Sequence, residues 1–286
     1  MSGSRPANAP PDPNPASAGG LTLLLNHASW RLLDLAYDDP YRNIALEEAL
    51  LRSVGSGAAP PTFRLWRNRG AVVIGAFQSP DLEVDLDACA AEGLPVIRRV
   101  SGGGAVYHDE GVLNYSLFAP KRHPFAAHGF HPAFEQVGAV VTTALRNLGI
   151  AASHPSLTTI LAGARKISGL AGAVKHGALL VHGSLLIHAD LTRLSRVLAL
   201  TQPPPPTRGR RAFTRSHKMA VTNLNDVLDH PLSLPDVEPL FHTTFERLLA
   251  ATFLPSDVTA AEVNLLQTLY ATKYRLQAWN FKYVTP

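Results

Sequence analysis

Apolar positions along the chain follow two periods, separated by clusters of glycine, proline and polar residues. In "NIALEEALLRSV", Ile44, Leu46, Ala49, Leu50 and Val54 give the mixed apolar faces of a helix. "PTFRLW" and "AVVIGAF" read as two strands joined by the polar turn "RNRG". "DLEVDLDACAAEGLP" reads as a helix ending at Gly93, and "PVIRRV" and "GAVYHD" as strands on either side of a serine-glycine loop. "VLNYSLFAP" is a further strand. "HPAFEQVGAVVTTALRNLG" places Phe134, Val137, Val141, Ala144, Leu145 and Leu148 at helical spacing and stops at Gly149. Two strand-like runs follow, "RKISGLAGAV" and "GALLVHGSLLIH", and Asp190 then opens a helix in "DLTRLSRVLAL" as its N-cap. A helical region over roughly 236–253 and a short helix near "NLLQTLYATKY" complete the pattern. Strands and helices mix without a strict βαβ alternation and without an internal repeat. The expected fold is therefore α+β, a mixed and largely antiparallel sheet with flanking helices.

Composition changes this picture at a few points. Residues 1–20 are Pro, Ala, Ser, Gly and Asn with no apolar period, which predicts a disordered tail ahead of one enlarged domain over 21–286. A formal charge of +4 favours an acidic partner or an anionic substrate. Lys and Arg are not concentrated with aromatic residues on one face, so nucleic acid is not indicated. Cys89 is the single cysteine, which excludes a disulfide framework and a thiolate zinc site; in its helix it reads as a buried thiol. No apolar run approaches the ~18 residues that span a bilayer, and a cytoplasmic protein is expected. His176, His182 and His188 recur every six residues, but a strand carries them far apart with no Cys, Asp or Glu beside them. No metal site is expected there.

Two stretches carry candidate chemistry. In "RRVSGGGAVYHDEGVLNYS", three consecutive glycines stand between two strands. A tight hairpin needs only two turn residues with Gly. Flanked by Arg98, Arg99 and Ser101, the loop reads alternatively as a backbone facing an anion with cations alongside. Gly103 is where a ligand is expected close to the backbone and where a positive φ is expected. It matches neither the dinucleotide nor the Walker fingerprint. In "ARKISG", Lys166 lies in an otherwise apolar strand. It either snorkels from a sheet edge or holds a carboxylate or phosphate as a fixed ammonium.

"RRVSGGGAVYHDEGVLNYS", "ARKISG", "HGSLLIHADL" and "KYRLQAWN", with "NIALEEALL" and "VVIGAFQSP" nearer the start, resemble the lipoate–protein ligase family of the biotin/lipoate ligase superfamily. The resemblance covers about residues 30–282 in the family's order. It implies a two-step reaction: ATP with Mg²⁺ converts lipoate or octanoate to acyl-AMP, and a lysine of a lipoyl acceptor domain takes the acyl group. The acceptor would be a 2-oxoacid dehydrogenase E2 or a glycine-cleavage H-type protein. It implies that Lys166 bridges the acyl carbonyl and the α-phosphate, as the catalytic residue. Arg99, Ser101, Gly102, Gly103 and Gly104 would line the acyl-phosphate turn, with Gly169 beside Lys166, and His108 and His182 would shape the pocket.

This sequence departs from the family pattern in places. Thr158 and Thr159 stand where the family has Asn-Asp, and "SGLAGAV" and Val112 replace more polar residues. No accessory domain follows the "WN" tail, so a separate small subunit is an expected partner. Three readings stay open: an ATP-dependent ligase, a transferase of preformed acyl groups, and a non-catalytic lipoyl-binding protein. A thioester route would need a cysteine near position 154, which is His154. "TRGRRAFTRSHK", with Arg208, Arg210, Arg211, Arg215 and Lys218, is expected to hold the acceptor or the adenylate.

Overall fold

The structure, a computed structural model, describes residues 28–198 and 214–283. The expected tail over 1–20 and the run from Thr201 to Arg211, with Arg208, Arg210 and Arg211, lie outside the described residues. The described elements open with β1 (Ala28–Asp34), α1 (Pro40–Ser56), β2 (Thr62–Trp66) and β3 (Gly70–Ile74). Two short helices, α2 (Pro80–Glu83) and α3 (Leu86–Ala91), lead to β4 (Val96–Arg98), β5 (Val106–Asp109) and β6 (Val112–Pro120). After α4 (Pro124–Ala127) and α5 (Phe130–Asn147) come β7 (Ala152–Ser156), β8 (Thr159–Ala162), β9 (Arg165–Lys175) and β10 (Ala178–Leu186). The last described elements are α6 (Leu191–Val197), α7 (Leu234–Leu249), β11 (Ala251–Pro255), α8 (Ala260–Leu269), a π-helical turn at Tyr270–Tyr274, and α9 (Gln277–Asn280).

Eight strands form one sheet in the order β11-β1-β2-β6-β10-β9-β8-β7. β1 runs parallel to both its neighbours and every other pair is antiparallel. A second sheet has the order β4-β3-β5. The mixed α+β architecture matches the expectation. One face of the large sheet packs against α5 and α7 through Tyr115, Val137, Val141, Phe241 and Phe245. On the other face α1 lies between the sheets, meeting Phe118, Ala173 and Leu180 of one and Val73 and Ile97 of the other.

α1 begins where Asp39 accepts the N–H of Tyr41 and ends at Gly57 in the left-handed region. Its apolar face carries two carboxylates, Glu47 and Glu48, both buried. Burial of a carboxylate requires partners. Glu47 receives Arg64 Nη1 (2.8 Å) and Ser116 Oγ (2.8 Å), and Glu48 is held by Arg52, Lys273 and Tyr274.

Three expectations are corrected. "PTFRLW" and "AVVIGAF" do not pair with each other: β2 joins the large sheet and β3 is the centre of the small one. Both are buried nearly throughout, so their runs carry no face signal to name a partner. The helix expected to 253 stops at Leu249, because Ala250 adopts φ 47° and the chain turns into β11 beside β1. A non-glycine residue in that conformation leaves no helix-stop signal in the sequence. The strands either side of the glycine loop are not a hairpin, since β4 and β5 each pair with β3. The loop therefore crosses over β3. No helix among the described residues is long and apolar enough to cross a membrane.

Candidate active site

Lys166 is not at an open sheet edge: Leu161 of β8 pairs with it on one side and Val221 bridges it on the other, just before β9 begins to pair with β10. The pairing of β8 with β9 shifts register between Ile160 and Leu161, so Ser168 faces Ile160 while Lys166 faces Leu161. Such a bulge re-aims a side chain. Ile167 enters the core under α5, and Lys166 turns to the opposite face. Its backbone is fixed by the segment at 220–222, donating to Ala220 O (2.9 Å) and accepting from Thr222 N (3.0 Å).

That face holds a cavity of about 300 Å³. Its floor is a row of cross-strand neighbours, Trp66, Asn114, Ser184, Gly169 and Thr159, in register across β2, β6, β10, β9 and β8. The glycine loop and residues 214–217 cover it. A smaller cavity of about 90 Å³, lined by Tyr107, Leu186, Leu194, Leu198 and Met219 among others, shares Lys166 and Gly169 with the first. Lys166 stands where the two meet.

Arg99 holds the loop. It donates through Nε to Ser101 Oγ (2.9 Å) and Gly102 O (3.1 Å), through Nη1 to Val73 O (3.2 Å), and through Nη2 to Gly102 O (2.6 Å) and Gly104 O (2.8 Å). Gly103 has φ 86°, as expected, and a Cβ there would lie 2.8 Å from Arg99 and 2.9 Å from Ala171. The crowding at Gly103 comes from the protein itself. The loop also seats on Gly75, where a Cβ would fall 2.1 Å from Gly103 O.

Arg98 and Arg99 separate completely. Arg98 donates to Gly75 O, Gln78 O, Trp279 O and Asn280 O, so it clamps the "FQSP" turn to the "AWN" segment and lines neither of these two cavities.

Of the expected site residues, Arg99, Gly103, Gly104, His108, Lys166, Gly169 and His182 line the large cavity. Ser101 and Gly102 do not; Ser101 is buried behind the loop, 2.7 Å from His182 Nε2. His182 Nδ1 lies 3.4 Å from Glu47 Oε2. His176 occupies the β9–β10 turn with φ 51° and His188 falls beyond β10, so the three histidines share no face.

Sequence reasoning missed Glu47, Trp66, Asn114 and Ser184, all in the lining. The signals were present: paired glutamates on an apolar helix, and a polar residue at an alternate position of each apolar strand. Arg215, from the segment expected to hold the acceptor or the adenylate, lines the large cavity and is bound to Glu83 (2.8 Å). Lys218 lines the smaller cavity. Glu83 and Gln78 also fix Ser216, whose Oγ takes the N–H of Ala105 (2.8 Å).

Neither Arg99 nor Lys166 has a carboxylate within ion-pair distance among the described residues. Burial pushes Arg99 down to about 10, and burial together with Arg99 lowers Lys166. Two unneutralised cations in one cleft make it selective for an anion. Burial, opposed by Glu47, also lowers His182. Glu47 is held below its ordinary value because His182, Arg64 and Ser116 outweigh its burial.

His108 is pushed down to about 3 by burial, Arg99 and His182. It is therefore neutral in the folded protein, while the unfolded chain binds a proton below about 6.5. The unfolded state holds more protons between those values, so stability is lost as pH falls through that window, by up to about 1.4 kcal/mol per pH unit. His108→Gln should flatten part of that slope between pH 6.5 and 5 in urea unfolding curves. An unchanged slope would show that His108 is charged in the native state.

The Lipoyl protein ligase A/B catalytic domain profile matches residues 39–246. The chain is 34% identical over 271 residues to Lipoate-protein ligase A subunit 1 of Thermoplasma acidophilum, covering 91% of this chain and 96% of that one. It is 32% identical over 271 residues to Octanoyltransferase LipM of Moorella thermoacetica, covering 88% and 97%. Among solved structures, a lipoate-protein ligase A bound with ATP is similar with a TM-score of 0.73 at 34% identity, covering 88% of this chain and 98% of that one. The chain thus belongs to the lipoyl protein ligase A/B family and is an enzyme of the lipoate–protein ligase or octanoyltransferase kind.

Proposed function

We propose that the chain joins lipoate or octanoate to ATP as an acyl-adenylate and passes the acyl group to a lysine of a lipoyl acceptor domain. The observation that carries this reading is Lys166, an ammonium without a carboxylate partner among the described residues, at the meeting point of a long cavity and a smaller apolar one. An acyl-adenylate has that shape: an alkyl chain, a purine, and an anionic phosphate between them. The similar ligase bound with ATP supports the nucleotide.

In the first step a carboxylate oxygen of the acid attacks the α-phosphorus and pyrophosphate leaves. In the second, the acceptor amine attacks the acyl carbonyl, the C–O bond to phosphate breaks, and AMP leaves as the amine loses its proton. Negative charge grows on phosphate or carbonyl oxygen in both steps. Lys166 Nζ is placed to meet it, and preorganised cations of this kind supply much of an enzyme's rate. Arg99 fixes the loop that closes over the chain. His108 and His182 shape the pocket; a neutral, buried His108 is unsuited to delivering protons.

Mg²⁺ enters this reading only with ATP. Such ions are held by one or two carboxylates and the substrate phosphates, and the cavity carboxylates are engaged, Glu47 with Arg64 and Glu83 with Arg215. Thr158 and Thr159, lining the cavity, offer hydroxyls where the resemblance led to Asn-Asp.

That change favours a second reading, transfer from a preformed acyl donor such as acyl-AMP made elsewhere, and the likeness to an octanoyltransferase supports transfer as the activity. A thioester route finds no nucleophile at the cavity. Cys89 is buried in another cluster with its thiol pushed up to about 11, and His154 packs on Gly138 of α5, beneath the sheet. In either reading residues 21–286 act as one catalytic unit. The acceptor is a separate chain, and a small accessory subunit is a further expected partner, as the subunit name of the Thermoplasma relative suggests.

Incubation with ATP, Mg²⁺, lipoate and a lipoyl domain, following AMP and acceptor mass separately, tests the proposal. AMP formed with one acyl group per acceptor is the expected result. Product only from supplied lipoyl-AMP would replace ligase by transferase, and ligand binding without product in either arm would refute both.

A further inference from the structure

A directed chain of hydrogen bonds runs under the cavity floor and ends at Asn114. Asn43 is fixed first: its Oδ1 accepts Tyr37 N (2.8 Å) and its Nδ2 donates to Tyr37 O (2.7 Å) and to Asn68 Oδ1 (2.8 Å). That leaves Asn68 Nδ2 to donate to His108 Nδ1 (3.0 Å), so the proton of the neutral ring sits on Nε2 and points at Ser184 Oγ (3.1 Å). Ser184 then gives its own proton to Asn114 Oδ1 (2.7 Å). Each link has one consistent direction, and the last fixes the orientation of the Asn114 amide. Its Nδ2 is buried and has no hydrogen-bond partner in the protein, although Asn114 is only 1% exposed.

Buried polar groups are nearly always satisfied, and an exception asks for an explanation. Asn114 lies on the cavity floor between Trp66 and Ser184. It is two strand spacings from Gly169, beside which Lys166 Nζ sits, a separation of about 10 Å. An acyl chain held by its carboxyl at Lys166 and laid along the row brings its far end to this amide. Five extended bonds cover about 6 Å at the ~1.2 Å per bond of an extended backbone. A ring beginning at that point would occupy the space next to Asn114.

We infer that Asn114 reads the far end of the acyl chain, its amide N–H donating to a dithiolane sulfur, so that lipoyl is preferred over octanoyl. The inference rests on the acyl-chain reading of the cavity. Sulfur accepts weakly, whereas the methyl end of octanoate accepts nothing and leaves the donor unpaired. Sites built around a buried donor discriminate in this way against analogues that lack its partner.

Titration calorimetry of the full chain with lipoate and with octanoate tests this. Wild type should bind lipoate more tightly by roughly fivefold or more. Asn114→Leu, close in shape, should bring the two affinities to within about twofold by weakening lipoate alone. Should that variant fail to fold by its melting curve, Ser184→Ala releases the amide from its orientation and should narrow the preference as well. A wild type without preference, or a preference that survives in the folded variants, overturns the inference and leaves the acyl-chain reading standing. Failure of wild type to bind either acid would remove both.

Discussion

Lys166→Ala should lower acyl transfer by about 10²–10³-fold or more, the range for loss of one transition-state donor, with a melting temperature close to wild type. The stability expectation follows from the side chain's position. Lys166 has no ion-pair partner among the described residues, and what it loses on burial is solvation of its charge. Removing an ammonium whose pKa burial has lowered relieves the fold of a desolvated cation. The β9 backbone keeps its bonds to Ala220 and Thr222 whatever the side chain. The reaction, by contrast, places an anion where that charge stands, and charge-assisted contacts to phosphate or carboxylate are strong. Single-turnover kinetics with supplied lipoyl-AMP separate binding from chemistry. A variant with near-normal turnover would take Lys166 out of the site.

Arg99→Lys should also be damaging, for another reason. Three guanidinium nitrogens make five hydrogen bonds to four acceptors, among them the carbonyls of Val73, Gly102 and Gly104. A lysine keeps the charge but is a single point donor without the planar fork. Carbonyls left buried and unpaired cost about 1–3 kcal/mol each, so unfolding free energy should fall by several kcal/mol. Lipoyl-AMP affinity should drop by more than about tenfold as the loop loses its order. If lysine restored affinity, Arg99 would act on the ligand as a charge and the clamp would be incidental. The two variants therefore separate cleanly, one losing chemistry with the fold intact and the other losing both.

Much of the site was legible because its residues break their local pattern. A lysine in an apolar strand, and three glycines between strands, conflict with propensity and so mark places where something else is being satisfied. What sequence could not resolve is direction. Arg98 and Arg99 are adjacent and chemically identical, yet one clamps the segment at Trp279 and Asn280 and the other the glycine loop. Only the end of β4 at Arg98 decides which way each points. Asn114 and Ser184 become site residues through the register of β6 with β10, a pairing between segments some 70 residues apart. The same limit hid β1 and β11, whose parallel pairing joins the two ends of the fold. Gly103 illustrates a mixed case: its positive φ was foreseeable, but the crowding around it belongs to Arg99 and Ala171.

The central claim is spatial: that an acyl-adenylate spans both cavities with its phosphate at Lys166. A crystal structure of the wild-type protein with lipoyl-AMP measures this directly. The account predicts a phosphate oxygen within hydrogen-bond distance of Lys166 Nζ, the lipoyl chain along Gly169, Ser184 and Asn114, and the adenine among Tyr107, Leu194 and Leu198. A phosphate remote from Lys166, or a chain that bypasses the row, would contradict it.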